Sequence, residues 1–203
     1  MKLYGHPDSG HAFKVKFCLN AAGIDHDYEF VDIFSDREVR DPEFLQRSKF
    51  CEVPLLTDHD KSLIQSNAIL IYIATEYKVF GGLSSLELQA CMEWLVWEAN
   101  KIGLCLPQLR ADKKFKVFEL SVGAKDWLTN RYYHDVGILE RELSDGRKFI
   151  LGDKVTIADF SLSGYLMYDN EADVKVPEKV HQWLSRLKNL DGWSTPYDML
   201  AKP

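Results

Sequence analysis

The sequence predicts an α/β domain followed by an all-α domain, and three observations carry that expectation. The first eighty residues alternate strand-like and helix-like patterns in the order βαβ then ββα, and Phe80-Gly81-Gly82-Leu83 reads as a hinge. Beyond Ser84 the apolar residues recur at helical spacing with no convincing strand. The expected domains are therefore residues 1–80 and 84–203.

The opening segment alternates apolar and polar as a strand does, then meets the turn formers Pro7-Asp8-Ser9-Gly10. Ala12, Val15, Leu19 and Ala22 follow at helical spacing until Gly23 stops the run. Residues 27–33 alternate with period two, a second strand that a right-handed crossover joins to the first. After an irregular charged segment, Val53-Pro54-Leu55-Leu56-Thr57 and Ser62-Leu63-Ile64 flank Asp58-His59-Asp60-Lys61, a hairpin by its turn composition. Ser66 then caps a helix running to about Tyr77. In the second domain Leu86, Ala90, Trp94, Trp97 and Lys101 share a broad face of one long helix that Pro107 ends or kinks. Further helices are expected over 113–143, 157–168 and 178–187.

With 203 residues, 46% of them hydrophobic, the chain can build real cores. Its 31 acidic residues against 25 Lys and Arg give a formal charge of −6 with no long run of either sign, which argues against nucleic acid as a partner. An anionic ligand would have to be held locally, by helix N-termini or a few placed cations. The amino terminus lacks the apolar core of a signal peptide and no apolar stretch could span a bilayer, so a cytoplasmic protein without a membrane partner is expected. Cys18, Cys51, Cys91 and Cys105 are widely separated, with no Cys-x-x-Cys pair and no histidine spacing of a metal site; free thiols and no metal are expected.

Several segments, in the expected order over nearly the whole chain, resemble the cytosolic glutathione transferase superfamily. Residues 1–19 resemble the first strand and helix of its serine-type branches, and Gly5-His6-Pro7-Asp8-Ser9 is similar to the plant phi-type opening. Val53-Pro54 resembles its cis-proline site, Gln65-Ser66-Asn67-Ala68-Ile69 its glutamyl-binding signature, and Gly152-Asp153-Lys154-Val155-Thr156-Ile157-Ala158-Asp159 a helix-start motif of its second domain. The resemblance implies a thioredoxin-like domain that binds glutathione as cosubstrate, although element order alone fits other small α/β folds too. It also implies a helical domain that shapes a pocket for a small, mostly hydrophobic electrophile, and a homodimer.

Such chemistry needs a thiolate at a pH where a free cysteine-like thiol, with a pKa of about 8.5, is protonated; lowering that by two units takes roughly 2.7 kcal/mol of preferential thiolate stabilisation. The resemblance assigns the task to Ser9, at the mouth of the first helix, whose hydroxyl would donate to the sulfur while the helix N-terminus adds positive potential. By itself Asp8-Ser9-Gly10 reads as turn chemistry. Tyr4 and His11 are rival activators; Tyr4 also reads as a strand residue packed on the sheet, and His11 as a first-turn residue or a wall of the glutathione site.

The rest of the tripeptide site follows from the same resemblance. Pro54 in cis would turn the backbone of Val53 outward to pair with the cysteinyl unit as an added strand; otherwise it starts an edge strand. Gln65 and Ser66 open a helix whose free N–H groups would take the γ-glutamyl carboxylate while Gln65 orients the ammonium; Ser66 also reads as a plain N-cap. Arg40 and Lys49 are candidates for the glycyl carboxylate. Where the family reads Asn-Pro-Phe-Gly followed by Gln or Lys, this chain has Ser48-Lys49-Phe50-Cys51-Glu52, so Glu52 puts negative charge where an amide or cation is usual. Glu52 thereby offers itself to another part of the ligand or to a basic co-substrate.

Phe50 resembles an aromatic key inserted into a neighbouring subunit, and reads otherwise as a loop residue folded into its own core. Cys51 is a candidate for a mixed disulfide with glutathione or a small buried hydrophobe. Trp94, Trp97 and Glu98 are placed at the second-substrate pocket, with Trp193 and Tyr197 near its lid, the aromatics reading equally as core. Thr156 to Asp159 reads as a capping box that serves folding. Disulfide or peroxide reduction, isomerisation and a non-catalytic interaction role all remain open on this scaffold.

Overall fold

The computed structural model describes residues 1–116 and 119–202. Strand β1 (Lys2–Gly5) lies between β2 (Asp27–Phe30), which is parallel to it, and β3 (Leu55–Asp58), which is antiparallel; β4 (Lys61–Ile64) completes the order β2-β1-β3-β4. The register sets Leu3 opposite Tyr28 and Leu56, and Tyr4 opposite Glu29 and Leu55. Since side chains alternate across a sheet, Leu3 and Leu56 point to one face and Tyr4 and Leu55 to the other. The first pair shares a core with Phe13 and Phe17 of α1 (Gly10–Ala21) and Ile69 and Ile73 of α3 (Ser66–Tyr77). The second pair clusters with Val31 and with Phe44 of α2 (Pro42–Arg47). This is the thioredoxin-like arrangement, with α1 and α3 on one face.

Among the described residues six α-helices follow: α4 (Ser85–Asn100), α5 (Ile102–Arg110), α6 (Val122–Glu142), α7 (Ile157–Leu166), α8 (Glu178–Leu187) and the short α9 (Pro196–Met199). The central one is α7, buried along nearly its whole length. It lies against α1 so closely that a Cβ added at Gly164 would stand 2.9 Å from the Gly10 carbonyl oxygen, and Phe160 meets Phe17 edge-on at 5.0 Å. One continuous apolar cluster thus runs from Leu3 and Leu56 on the sheet to Trp183 and Leu187 of α8. Among the described residues no helix is long and apolar enough to cross a membrane.

Several element boundaries differ from expectation for local reasons. The second strand ends at Phe30 instead of residue 33, because the Asp32 carboxylate accepts the Phe34 N–H at 2.9 Å and turns the chain. Strand β3 starts at Leu55, after the cis Val53–Pro54 bond. The long helix breaks at Lys101, whose φ of −122° and ψ of −102° leave the helical region, and Pro107 is carried inside α5 rather than ending it. The helix expected from 113 begins at Val122, where the Ser121 hydroxyl accepts the Ala124 N–H at 3.3 Å; residues 111–115 form a π-type turn instead. Residues 117 and 118 of that expected helix, and residue 203 at the end of the second domain, lie outside the described residues. The capping box is present: Asp159 returns to the Thr156 N–H at 2.8 Å.

Candidate functional site

The cavity begins with what the sheet and two helices bring together. His11 stands in the first turn of α1, the loop after α2 carries Phe50 to Pro54, and Ile64 ends β4 just before α3. Together with Gln65 and Ser66, His11, Phe50, Glu52, Val53, Pro54 and Ile64 line a cavity of about 120 Å³. Gln65 makes the turn from β4 into α3 at φ +67°, a left-handed conformation that a non-glycine residue holds only where its surroundings enforce it. That turn makes Gln65, not Ser66, the N-cap position, so Ser66 opens the helix and its hydroxyl lies 3.4 Å from His11 Nδ1 instead of capping. Among the described residues no hydrogen bond engages the Val53 N–H or C=O. Ser48 fixes the neighbouring backbone, its hydroxyl accepting from the Glu52 N–H and donating to the Glu52 carbonyl, both at 3.2 Å.

His11 packs edge-on against Tyr165 with ring centroids 5.0 Å apart. Burial, reinforced by the Lys14 charge and opposed by Glu98, pushes its imidazole down to about 4, so it is neutral near pH 7. Because the unfolded chain takes up this proton more readily, the residue removes stability as pH falls from the ordinary histidine value toward about 4 and removes none above it. The urea midpoint is accordingly expected to fall more steeply with acid in the wild type than in His11→Asn; parallel curves would show that His11 titrates freely in the folded state.

Beneath the cavity, Glu98 does not face a second-substrate pocket as its helical face suggested. It is buried where α1, α3, α4 and α7 meet, and its Oε2 accepts from Lys14 Nζ at 3.1 Å, Asn67 Nδ2 at 3.1 Å and Ser161 Oγ at 3.2 Å. Burial pushes this carboxyl up, but the Lys14 charge and the hydrogen bond from Asn67 outweigh it and hold it below the ordinary range, while burial pushes the Lys14 ammonium down against the pull of Glu98. Trp94 and Trp97 form an edge-on pair at 5.5 Å packed against the core. Trp193 and Tyr197 share a separate cavity of about 190 Å³ with Tyr168, Glu171 and Lys188.

Three of the predicted site residues stand outside the cavity lining. Arg40 spends its guanidinium on backbone carbonyls, Nη1 on Cys51 at 2.8 Å and Nη2 on Ile33 and Ser35 at 3.0 and 3.2 Å, and its Nε is buried. Lys49 is exposed, with Nζ 5.3 Å from the centre of the Phe50 ring. Ser9 is 6% exposed and caps α1, its hydroxyl oxygen accepting the Ala12 N–H at 3.1 Å. Of the rivals, Tyr4 is buried on the α2 side of the sheet, 5.7 Å from Phe44, and burial pushes its phenol up. The thiols of Cys18, Cys91 and Cys105 are likewise pushed up by burial.

The loop that carries Ser9 is held by an ionic clamp that the sequence did not reveal. Arg110 of α5, itself 2% exposed, donates to both the carbonyl and Oδ1 of Asp8 at 2.7 Å and to Glu171 Oε2 at 2.6 Å. Lys114 Nζ and the Tyr197 hydroxyl donate to the same Asp8 oxygen at 2.8 Å. Tyr168 adds a 2.6 Å bond to the Pro7 carbonyl, and the Arg110 guanidinium lies 4.2 Å from the centre of its ring.

The fold agrees with what comparison finds. Residues 1–75 match the glutathione S-transferase N-terminal domain and residues 126–195 the glutathione S-transferase C-terminal domain. The chain belongs to the glutathione S-transferase family. It is 30% identical over 168 residues to glutathione S-transferase 1 of Schizosaccharomyces pombe, covering 78% of this chain and 71% of that protein. It is 26% identical over 202 residues to the disulfide-bond oxidoreductase YfcG of Escherichia coli, covering 92% and 89%. A glutathione S-transferase from Xanthobacter autotrophicus Py2 superposes with a TM-score of 0.84 at 24% identity, over 97% of this chain and 98% of that one, a likeness of fold.

Proposed function

We propose that this protein is a glutathione transferase of the serine type, which uses Ser9 to stabilise the glutathione thiolate for attack on a small, mostly hydrophobic electrophile. The observation that carries the reading is the convergence of an unengaged Val53 backbone, neutral His11 and the Gln65-Ser66 start of α3 on one cavity, in a chain of this family. The α3 N-terminus offers free N–H groups and positive potential to the γ-glutamyl carboxylate. Ser9 already accepts from Ala12 N–H, so its own O–H remains to donate to the sulfur at the N-terminus of α1. The thiolate then bonds to the electrophilic carbon of the co-substrate, and the displaced group leaves with the electron pair. The working unit on this reading is a cytoplasmic homodimer; Phe50, 43% exposed, is available to a second copy.

Calorimetric titration with reduced glutathione tests the site. Binding is expected in the wild type, weakened about tenfold by Ser66→Ala, which removes one hydroxyl worth about 1.4 kcal/mol, and largely kept by Ser9→Ala. Ser9→Ala should instead lower conjugation by about 10²-fold or more, as loss of a donor aimed at developing charge does. An unchanged turnover in Ser9→Ala, with Tyr4→Phe or His11→Asn crippled, would move the activating role. Disulfide reduction is the alternative reaction, left open by the likeness to the disulfide-bond oxidoreductase YfcG of E. coli, and product analysis separates it from conjugation.

A further inference from the structure

Charge is unevenly supplied to the cavity. Among the described residues that line it, Glu52 is the only one formally charged at neutral pH, because His11 is held neutral. No lysine or arginine contributes to the lining: the Arg40 guanidinium is committed to three backbone carbonyls, and Lys49 is exposed beside the Phe50 ring. The Glu52 carboxylate has no partner among the described residues, although its backbone is pinned on both sides by Ser48.

Glutathione carries two carboxylates and one ammonium. With its γ-glutamyl end at Gln65 and Ser66, a ligand strand pairing antiparallel to residues 52–54 sets the cysteinyl unit opposite Val53 and the glycyl unit opposite Glu52. The free glycyl carboxylate would then meet a like charge with no cation to offset it, an arrangement that disfavours binding. A neutral amide at that end removes the repulsion and offers N–H donors to Glu52; a cationic substituent adds attraction.

We infer that this cavity selects a glutathione derivative whose glycyl carboxylate is masked as an amide or extended by a cationic group, with Glu52 as the residue that discriminates. This rests on the glutathione reading of the same cavity and narrows its substrate class. The discrimination is electrostatic at an exposed position, so it weakens as salt rises.

Competitive calorimetry with glutathione and with its glycinamide form, γ-glutamyl-cysteinyl-glycinamide, tests this at low and high salt. The wild type is expected to bind the amide at least about tenfold more tightly, about 1.4 kcal/mol, with the ratio shrinking in high salt. Glu52→Gln should bring the two ligands to within about twofold of each other, and Glu52→Lys should reverse the preference; about twofold corresponds to only about 0.4 kcal/mol. Equal or tighter binding of plain glutathione by the wild type overturns the inference while leaving the glutathione reading intact, as does a ratio unchanged by Glu52→Lys. Binding of neither thiol at millimolar concentration overturns both.

Discussion

Replacing Asp159 with alanine is expected to lower the unfolding free energy by about 3–5 kcal/mol, because it leaves several buried donors unpaired at about 1–3 kcal/mol each, partly offset by relief of the carboxylate's own burial. The carboxylate is completely buried at the start of α7 and accepts four bonds. These come from the Ile150 N–H at 2.9 Å, the Thr156 N–H at 2.8 Å, the Thr156 hydroxyl at 3.1 Å and the Trp183 indole N–H at 2.8 Å. One side chain therefore caps the helix, closes the 150–156 loop and anchors α8. Alanine leaves two backbone amides and an indole without acceptors in a site that water does not reach. An isolated N-cap is worth about 1 kcal/mol, so the size of the loss decides between a local cap and a hub. The urea midpoint at an unchanged m-value reads it, and a loss near 1 kcal/mol would reduce Asp159 to an ordinary cap.

The second large effect is expected at Arg110. Arg110→Met keeps the packing volume over the Tyr168 ring but leaves Asp8 and Glu171 with Lys114 as their remaining cation. Removal of one member of a buried ion pair costs about 3–5 kcal/mol, and Lys114, which is partly solvated, offsets some of it; a net loss of about 2–3 kcal/mol corresponds to a midpoint drop of about 4–12 °C for a chain of this length. Burial pushes both carboxyls up, but hydrogen bonds from Lys114, Tyr197 and Arg110 hold them below their ordinary range. Their contribution is therefore present above the ordinary carboxylate value and is lost as pH falls through the depressed one, so wild type and variant should converge in acid. Hydrogen exchange at Ser9 and Gly10 should accelerate in the variant near pH 7. A melting point within about 2 °C of wild type, less than 1 kcal/mol at this size, would show that the clamp contributes nothing net.

Local signals were legible where a residue type answers a local need. The period-two strands around Leu3 and Leu56, the turn at Pro7-Asp8-Ser9-Gly10 and the Thr156-x-x-Asp159 box all lie within short windows whose chemistry is complete in sequence. The Gln65-Ser66 start of α3 was equally visible, though the cap assignment was off by one because only the backbone reveals the positive φ at Gln65. Pro107 was overvalued: it fits inside α5 once the helix restarts at Ile102, and the break sits where Gly103 approaches the buried Glu98 carboxylate. The clamp was hidden for a different reason. Asp8 and Tyr197 are 189 positions apart, and no local pattern marks Arg110 as the residue that joins their elements. Glu98 misled likewise, since helical periodicity gives the face a residue occupies but not the element that covers it.

The unbroken apolar cluster running from the sheet through α1 and α7 to α8 limits how this chain can be cut or recombined. Severed just before α4, residues 1–80 would present Phe13 and Phe17 to water where they now meet Tyr168 and Phe160. They would also leave Lys14 buried-side out without its carboxylate. The sheet lobe is thus not a portable unit. A helical lobe borrowed from another lineage would serve it only if it brought matching partners for Phe17, Lys14 and Asp8.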